Sequence, residues 1–305
     1  MLNHRYDYQT TLETSLRINW QIEDVIGGRT FDYSKPFLPD SLAGVNGINC
    51  LNATEKLKLN HIRSYTYLYM FGLVEEYILP SVVEHAETTV HGDDYEIRAL
   101  LRFAEEEAKH IQLFKWFVRE FEKGFGTPCE AIGPAKVVAA AILKHSRLGV
   151  FLTTLHIEWM SQRHYVESVK GNPDLDLLFC SLLKHHWLEE AQHAKLDTLV
   201  IDKIATSLTQ QEIESGVEDY MAIGKLLDAG LGAQVQLDLA SLAKATGRTF
   251  SDQEKAEIAQ AQTKAYRSTF LLSGMTHPNF DRTLRELTPS GHAVVSGFAQ
   301  RLNNS

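Results

Sequence analysis

The sequence has few of the features that define several protein classes. Its 305 residues include three cysteines, Cys50, Cys129 and Cys180, with no Cys-x-x-Cys spacing. An odd and scattered set predicts no disulfide framework, so we expect a reducing compartment. The net charge is −9, and no block of Lys and Arg occurs. This balance argues against nucleic acid or an anionic membrane surface as the main partner.

Long apolar runs are also missing. The longest, residues 137–143, is far shorter than the roughly 20 residues that a membrane-spanning helix needs. The first 20 residues are polar and charged, without the apolar centre of a signal peptide. Hydrophobic residues make up 44% of the chain, an ordinary share for a globular protein with a sizeable core. We therefore expect a soluble cytoplasmic protein.

Helical periodicity dominates the middle of the chain. Apolar residues recur at intervals of three and four in four long segments, which are 54–85, 94–123, 135–170 and 173–207. Pro80 lies inside the first segment and predicts a kink or a local break. Asn172 and Pro173 suit the N-cap and the first position of the fourth helix.

Weaker signals flank these four helices. The first 52 residues contain glycines and prolines, which predict an extended strap with one short helix near residues 11–20. Two capping boxes, Thr209–Glu212 and Ser251–Glu254, predict helix starts near the C-terminus. The C-terminal helices are expected at about 209–229, 233–246, 251–273 and 280–301.

These patterns together predict an all-α fold in one domain spanning residues 1–305. A four-helix bundle, residues 54–207, forms its core. The strap, residues 1–52, wraps the bundle, and accessory helices, residues 209–305, pack outside it.

Two short runs on the second and fourth predicted helices share one spacing. Glu107 and His110 form a Glu-x-x-His pair, as do Glu190 and His193, and His186 lies four residues before Glu190. Residues three and four apart lie on one face of a helix, so each set can bind one metal ion. Two such helices, with one Glu from each of two others, provide the ligands of a dinuclear metal site in a four-helix bundle.

The other two helices offer the remaining carboxylates. Glu158 is the candidate on the third helix. On the first helix we prefer Glu76, with its neighbour Glu75 as the alternative. Glu76 and Glu107 lie at similar distances from the turn near residue 91, so they would face each other in an antiparallel hairpin.

Two further acids are predicted to support this site. Glu106 and Glu189 each precede a candidate ligand, and each is placed to accept a hydrogen bond from a ligand histidine. Carboxylate oxygens with a few imidazoles suit iron or manganese. Bound cations would also offset the cost of burying so many Glu charges.

At these residues the sequence resembles the ferritin-like diiron carboxylate proteins, which share the order Glu, Glu-x-x-His, Glu, Glu-x-x-His. The additional histidine, His186, is similar to one found in the p-aminobenzoate N-oxygenase family, the diiron arylamine oxygenases. This resemblance implies seven metal ligands, namely Glu76, Glu107, His110, Glu158, His186, Glu190 and His193.

The resemblance also implies an activity. Two iron ions, cycling between Fe2+ and Fe3+, would activate O2 as a peroxo-diiron species and oxidise a small organic substrate, most simply by N-oxygenation of an amine. Manganese is an alternative for one or both irons. A ferredoxin or flavin reductase is the expected electron donor, and a homodimer is the expected assembly.

Other functions fit much of the same pattern. A different diiron oxygenase or oxidase would attack C–H or C–C bonds of a fatty or amino acid-like substrate, and its products would identify it. An iron-storage protein would form a large cage, whereas a radical-generating subunit would need a tyrosine such as Tyr69, Tyr77 or Tyr165 near the metals. A helical scaffold with buried ion pairs would bind no metal at all.

Overall fold

The computed structural model describes residues 2–304 of the chain. Helices account for 78% of the described residues, which contain no strand. The all-α class predicted from the sequence is therefore confirmed. None of the helices in residues 2–304 combines the length and the apolar character needed to cross a membrane.

The α-helices are numbered in chain order. They are α1 (Tyr8–Ile18), α2 (Ile22–Ile26), α3 (Asp40–Ala43), α4 (Ala53–Glu87), α5 (Asp94–Phe125), α6 (Ala135–Ile142), α7 (Arg147–Arg163), α8 (Leu177–Thr206), α9 (Gln210–Thr246), α10 (Asp252–Arg267), α11 (Ser273–Met275), α12 (Pro278–Leu287) and α13 (Pro289–Asn304). Two π-helical turns, His164–Val169 and Ser268–Leu272, continue directly from α7 and α10.

Four of these helices form the bundle. Helix α4 packs along α5, and α7 packs along α8, so the bundle consists of two helical hairpins. Helix α9 lies against both α4 and α7 on the outside. Residues of the strap cover another side, because α1 packs on α5 and α8. The hydrophobic core runs through all of these contacts, and the long inner helices are where buried polar side chains concentrate.

Helix α4 begins with a capping box that the sequence analysis did not single out. The side chain of Asn52 accepts a hydrogen bond from the backbone N–H of Glu55, and the carboxylate of Glu55 accepts one from the backbone N–H of Asn52. Pro80 does not end the helix, which continues for seven more residues to Glu87. Proline lacks the N–H that would bond the carbonyl four residues earlier, so one hydrogen bond is lost while the rest of the helix is kept.

The third predicted helix is divided in the structure. Instead of one helix over residues 135–170, α6 ends at Ile142 and α7 starts at Arg147. Ser146 caps the new start, and its own backbone N–H donates to Asp219 of α9. A Cβ on Gly149 would lie 2.6 Å from the Cβ of Asp219, so the close crossing of α7 and α9 requires glycine.

The fourth helix starts later than predicted. Asn172 and Pro173 lie in the preceding loop, and Asp176 is the N-cap of α8, where it accepts a hydrogen bond from the backbone N–H of Phe179. The other oxygen of Asp176 accepts from the backbone N–H of Asp32 in the strap. This long-range partner explains why local sequence signals pointed to the wrong cap.

Both predicted C-terminal capping boxes are present, at Thr209–Glu212 and Ser251–Glu254. The two helices predicted at 209–229 and 233–246 are one continuous helix, α9. Gly230 and Gly232 do not interrupt it, because a glycine inside a helix costs only about 1 kcal/mol and packing along the bundle exceeds that cost.

Candidate metal centre

Seven acidic and histidine side chains from the four bundle helices are buried together. They are Glu75 on α4, Glu107 and His110 on α5, Glu158 on α7, and His186, Glu190 and His193 on α8. None is more than 3% exposed to solvent. Helical spacing explains why α5 and α8 each contribute several side chains to one interior region, since residues three or four apart share a face.

The donor atoms of these residues form two overlapping groups. One oxygen or nitrogen from each of Glu75, His110, His186 and Glu190 lies within 4.8 Å of the others. The same holds for Glu107, His110, Glu190 and His193. His110 and Glu190 belong to both groups, so the two candidate metal positions are adjacent and share donors.

Individual contacts within the groups are short. Nδ1 of His193 lies 2.9 Å from Oε1 of Glu107, and Nδ1 of His110 lies 3.1 Å from Oε1 of Glu190. Nε2 of His186 lies 3.2 Å from Oε1 of Glu75 and 3.1 Å from Oε1 of Glu190.

While the rings of His110 and His193 are neutral, their hydrogens lie on Nε2 and face Glu189 and Glu106, so the short contacts of Nδ1 are not hydrogen bonds. Both oxygens of Glu107, both oxygens of Glu158, Oε1 of Glu190 and Nδ1 of His110 and His193 are buried and unsatisfied. Leaving one buried polar atom without a partner costs roughly 1–3 kcal/mol, and native proteins contain few such atoms. A cluster of electron-pair donors left free at one place fits bound cations, which would satisfy all of them at once.

Glu76, the residue preferred on the first helix, lies outside this cluster. Its carboxylate pairs with Nζ of Lys115 at 2.7 Å, and its side chain is 28% exposed. Glu75 is the buried neighbour that contacts His186. The sequence argument fixed the height along α4 correctly, but adjacent helical residues differ by about 100° in direction. The geometry therefore favours Glu75, the alternative named from the sequence, over Glu76 as the candidate on α4.

Glu158 occupies the same interior but lies outside both close groups. Burial raises the pKa of its carboxyl well above the ordinary value, and the negative charge of Glu190 raises it further. The two acids are thus near neighbours. Without metal, the raised pKa of Glu158 favours a proton shared with Glu190. A metal ion bound between the two carboxylates would take the place of that proton, and both acids could then be ionised.

The outer nitrogens of two histidines are held by the acids predicted for that role. Nε2 of His110 lies 2.8 Å from Glu189, and Nε2 of His193 lies 3.0 Å from Glu106. The pairs cross between helices, since each acid holds the histidine of the opposite helix. A carboxylate only accepts hydrogen bonds, so Nε2 carries the hydrogen and Nδ1 of a neutral ring keeps its lone pair for a metal.

The pKa values of the three histidines differ according to their surroundings. Burial opposes protonation of His110, but its contacts with Glu189 and Glu190 outweigh burial and raise its pKa to about 9. Glu190 and Glu106 likewise raise the pKa of His193 well above the ordinary value against the effect of burial. For His186 burial prevails and lowers the pKa to about 4. Without metal, protons on His110 and His193 take the place of the missing positive charge.

The sequence analysis missed one buried residue beside the site, Asp197, and considered another, Tyr77, in one role alone. Asp197 is fully buried with both carboxylate oxygens unsatisfied, and burial raises its pKa well above the ordinary value. It lies four residues after His193, a helical spacing that would have identified it. Tyr77, considered only as a radical site, is also fully buried, and burial raises the pKa of its hydroxyl.

A small apolar cavity of about 20 Å³ lies beside the cluster. Its wall includes Val74 and Ile157, the residues directly before Glu75 and Glu158. Phe71 also lines it and contacts the ring of His186 edge-on at 5.4 Å between centroids. A volume of this size holds a water-sized molecule, and an apolar wall favours a molecule less polar than water.

Fold and site together define a class: an all-α protein with a four-helix bundle and a buried carboxylate–histidine cluster in its core. No family model and no curated protein matches the chain. Solved structures of R2-like ligand-binding oxidases do match it. One with an aerobically reconstituted Mn/Fe cofactor has a TM-score of 0.50 and 12% identity over 87% of this chain and 93% of that chain.

Two variants of such oxidases give the same result. A structure with an aerobically reconstituted Fe/Fe cofactor has a TM-score of 0.50 and 12% identity, over 87% of this chain and 94% of that chain. A glycine-to-phenylalanine variant with an Mn/Fe cofactor has a TM-score of 0.50 and 13% identity, over 88% of this chain and 98% of that chain. This likeness confirms the predicted ferritin-like fold.

Proposed function

We propose that this protein is a non-haem dinuclear metal oxidase that uses O2 to oxidise a small organic substrate. The observation that carries the proposal is the cluster of buried, unsatisfied carboxylates and histidines at the centre of a ferritin-like bundle. Solved structures with this fold contain Fe/Fe or Mn/Fe cofactors. Two iron ions, with manganese in place of one or both, are the proposed cofactor.

The seven inner side chains divide between two proposed metal positions. The first, position A, is formed by Glu75, His110 and His186, whose donor atoms lie close together. The second, position B, is formed by Glu107, Glu158 and His193. Glu190 belongs to both close groups and is the proposed bridge.

Charge balance also supports two divalent ions. Seven buried acids surround the site, and burial raises the pKa of one of them, Asp197, well above the ordinary value, so it is counted as neutral. The other six are counted as ionised, namely Glu75, Glu106, Glu107, Glu158, Glu189 and Glu190. The only side-chain cations paired with them in residues 2–304 are Arg102, on Glu106, and Lys109, on Glu189. Two divalent ions would supply the remaining four positive charges, so the loaded site would be neutral with all histidines uncharged.

The protein residues have separate tasks in the proposed reaction. When bound, the metal ions supply the redox chemistry that reduces O2, for which amino acid side chains are unsuited. Glu106 and Glu189 orient two ligand rings. The apolar wall at Phe71, Val74 and Ile157 excludes water, so reactive oxygen would meet the substrate first.

We propose N-oxygenation of an amine as the particular reaction. Its support is His186, which lies between Glu75 and Glu190 and adds a third imidazole to the site. A neutral nitrogen ligand donates charge without adding a negative one, and it would stabilise the higher oxidation state of the metal at position A. The required electrons come from an external donor, for which a ferredoxin or flavin reductase is proposed.

Oxidation of C–H or C–C bonds is the second candidate. The observation that favours it is the cavity beside Glu75 and Glu158, which is lined entirely by apolar side chains. The cavity has room for a water-sized molecule, so a substrate would have to widen it, and the apolar wall would then contact a hydrocarbon segment.

Single-turnover chemistry would separate the two candidates. Protein loaded anaerobically with Fe2+ and mixed with 18O2 and aniline is expected to consume O2 and give an 18O-labelled N-oxygenated product. A carbon-oxygenated product would favour the second candidate, and absence of O2 uptake by iron-loaded protein would contradict both. The Glu76→Gln variant is the control and is expected to react like the wild type, because Glu76 lies one residue from the site yet pairs with Lys115 at the surface.

A further inference from the structure

Lys109 occupies an unusual position for a lysine on a bundle helix. Its side chain is only 10% exposed, and its Nζ lies 2.5 Å from Oε1 of Glu189. The other oxygen of Glu189 lies 2.8 Å from Nε2 of His110. Lys109, Glu189 and His110 thus form a continuous chain of contacts that ends at a proposed metal ligand.

The N-terminal strap holds the lysine at this place. Nζ of Lys109 donates to the backbone carbonyl of Trp20 at 3.1 Å and lies 3.8 Å from the centre of its indole ring. The same indole stacks on the ring of His110, with 5.8 Å between centroids and 12° between planes. Trp20 itself is 5% exposed. A cation held against an aromatic face and a buried carboxylate has little freedom to move.

The strap also contacts the acid that holds the other histidine. Oγ of Ser15 donates to Oε1 of Glu106 at 2.5 Å, and Nε of Arg102 donates to the same oxygen at 2.9 Å. Asn19 of the strap accepts from Arg102. Glu106 and Glu189, the two acids that hold ligand histidines, therefore each pair with one cation from α5. The strap contacts Glu106 directly through Ser15, and it contacts Glu189 through Lys109.

We infer that Lys109, held by Trp20, is a positioning residue of the metal centre, and that the strap is part of that centre. The inference rests on the proposed function. Lys109 fixes the direction of the Glu189 carboxylate, which fixes the ring plane of His110, and the stacked indole prevents that ring from turning. The ring orientation sets where Nδ1 points, and hence the geometry at position A.

Titration with Co2+ tests this inference without any turnover. Co2+ accepts nitrogen and oxygen ligands, and its visible absorption reports their geometry. The Lys109→Met variant, which keeps the length of the side chain but removes the charge, is expected to bind Co2+ roughly 10- to 100-fold more weakly and with an altered spectrum. Lys109→Arg keeps a cation for Glu189 and is expected to recover most of the affinity.

Lys115→Met is the matched control. Lys115 lies on the same helix and pairs with Glu76, but it is 55% exposed and does not contact the cluster. Its variant is expected to bind Co2+ with the affinity and spectrum of the wild type. Trp20→Leu, which leaves Lys109 in place, is expected to weaken binding less than Lys109→Met, and it serves as the second test if Lys109→Met does not fold.

Several results would overturn the inference. Wild-type binding by Lys109→Met, or binding by Lys109→Arg as weak as that of Lys109→Met, would show that the cation does not position Glu189. Unchanged Co2+ binding by Trp20→Leu would show that the strap is not part of the metal centre. Failure of the wild type to bind Co2+ would contradict the proposed function itself, whereas loss of the variant effects alone would leave that function standing.

Discussion

Two polar clusters in this protein contain acids that are equally buried but differ in whether their carboxylate oxygens accept hydrogen bonds. In the first, Asp238 of α9 accepts hydrogen bonds from Thr66 at 3.0 Å and Gln234 at 2.7 Å on one oxygen, and from Tyr266 on the other. The guanidinium of Arg63 lies 3.2 Å from the centre of the Tyr266 ring. In the second, both oxygens of Glu107 have no hydrogen-bond partner.

The difference distinguishes a structural cluster from the proposed metal site. Both oxygens of Asp238 have partners within the protein, so this acid needs no external cation, and its contacts join α4, α9 and α10. The acids around Glu107 are incomplete without an external cation. A buried acid is by itself weak evidence for a site, whereas several buried acids and imidazoles that leave their electron pairs free at one place are strong evidence.

The largest expected effect is the loss of metal from the Glu190→Gln variant. Glu190 belongs to both close groups of donor atoms, so its replacement by a neutral amide affects both metal positions. We expect both ions to be lost while the fold remains, because the change removes a buried negative charge. Elemental analysis with circular dichroism checks this, and two metal ions per chain in the variant would contradict the bridging role.

The corresponding change in the structural cluster should have the opposite result. Asp238→Ala leaves the buried donors of Thr66, Gln234 and Tyr266 without their acceptor, and we expect a loss of at least about 1–3 kcal/mol in the free energy of unfolding. Metal content should stay as in the wild type. Urea unfolding and elemental analysis together measure both quantities. A variant that lost metal but kept normal stability would show that Asp238 supports metal binding, which would contradict the distinction between the two clusters.

The structural cluster also predicts a pH dependence. Burial raises the pKa of Asp238 to about 6, against 3.8 for the unfolded chain. A raised folded pKa means that this acid's contribution to stability is complete below the unfolded value and is lost as the pH rises through about 6. The change amounts to at most about 3 kcal/mol. The stability difference between the wild type and Asp238→Asn should therefore change between about pH 4 and 6, and a constant difference would contradict the pKa shift.

The smallest predicted effect compares two adjacent residues. Glu75→Gln should weaken binding of the metal at position A by at least about tenfold, the loss expected even for partners outside the ligand set. Glu76→Gln should bind metal like the wild type, because Glu76 pairs with Lys115 at the surface. Calorimetric titration with Mn2+ compares the two variants. Weaker binding by Glu76→Gln alone would restore the residue preferred from the sequence.

Much of the site follows from local helical geometry. The pairs Glu107–His110 and Glu190–His193 were recognisable because a spacing of three in a long helix places both side chains on one face. Neither pair depends on how the helices are arranged. Glu106 and Glu189 were recognisable for a related reason, although their crossing to the opposite helix appears only in the folded bundle.

Rotation of a helix about its axis could not be predicted in this way. Equal distances from the turn matched Glu76 with Glu107 in height, yet the packing of α4 turns Glu75 inward. The start of α8 was missed because Asp176 gains a partner from Asp32, which is 144 residues away in sequence. The continuity of α9 depends on its packing along the bundle, and no local signal reports that contact.

The contribution of the strap was the least predictable part of the site. Its glycines and prolines indicated an extended segment, and nothing in residues 1–52 marked Ser15 or Trp20 as neighbours of a metal site. Their roles arise from tertiary contacts with Glu106 and Lys109. Asp197 was predictable in principle, since it continues the helical face of Glu190 and His193.

Metal content measured after anaerobic loading with Fe2+ and removal of unbound iron tests the central claim most directly. Two iron ions per chain in the wild type, reduced to none in Glu190→Gln and unchanged in Asp238→Asn, is the predicted result. A folded wild-type protein that retains no metal would contradict the account and leave the buried glutamates and histidines as proton-sharing ion pairs.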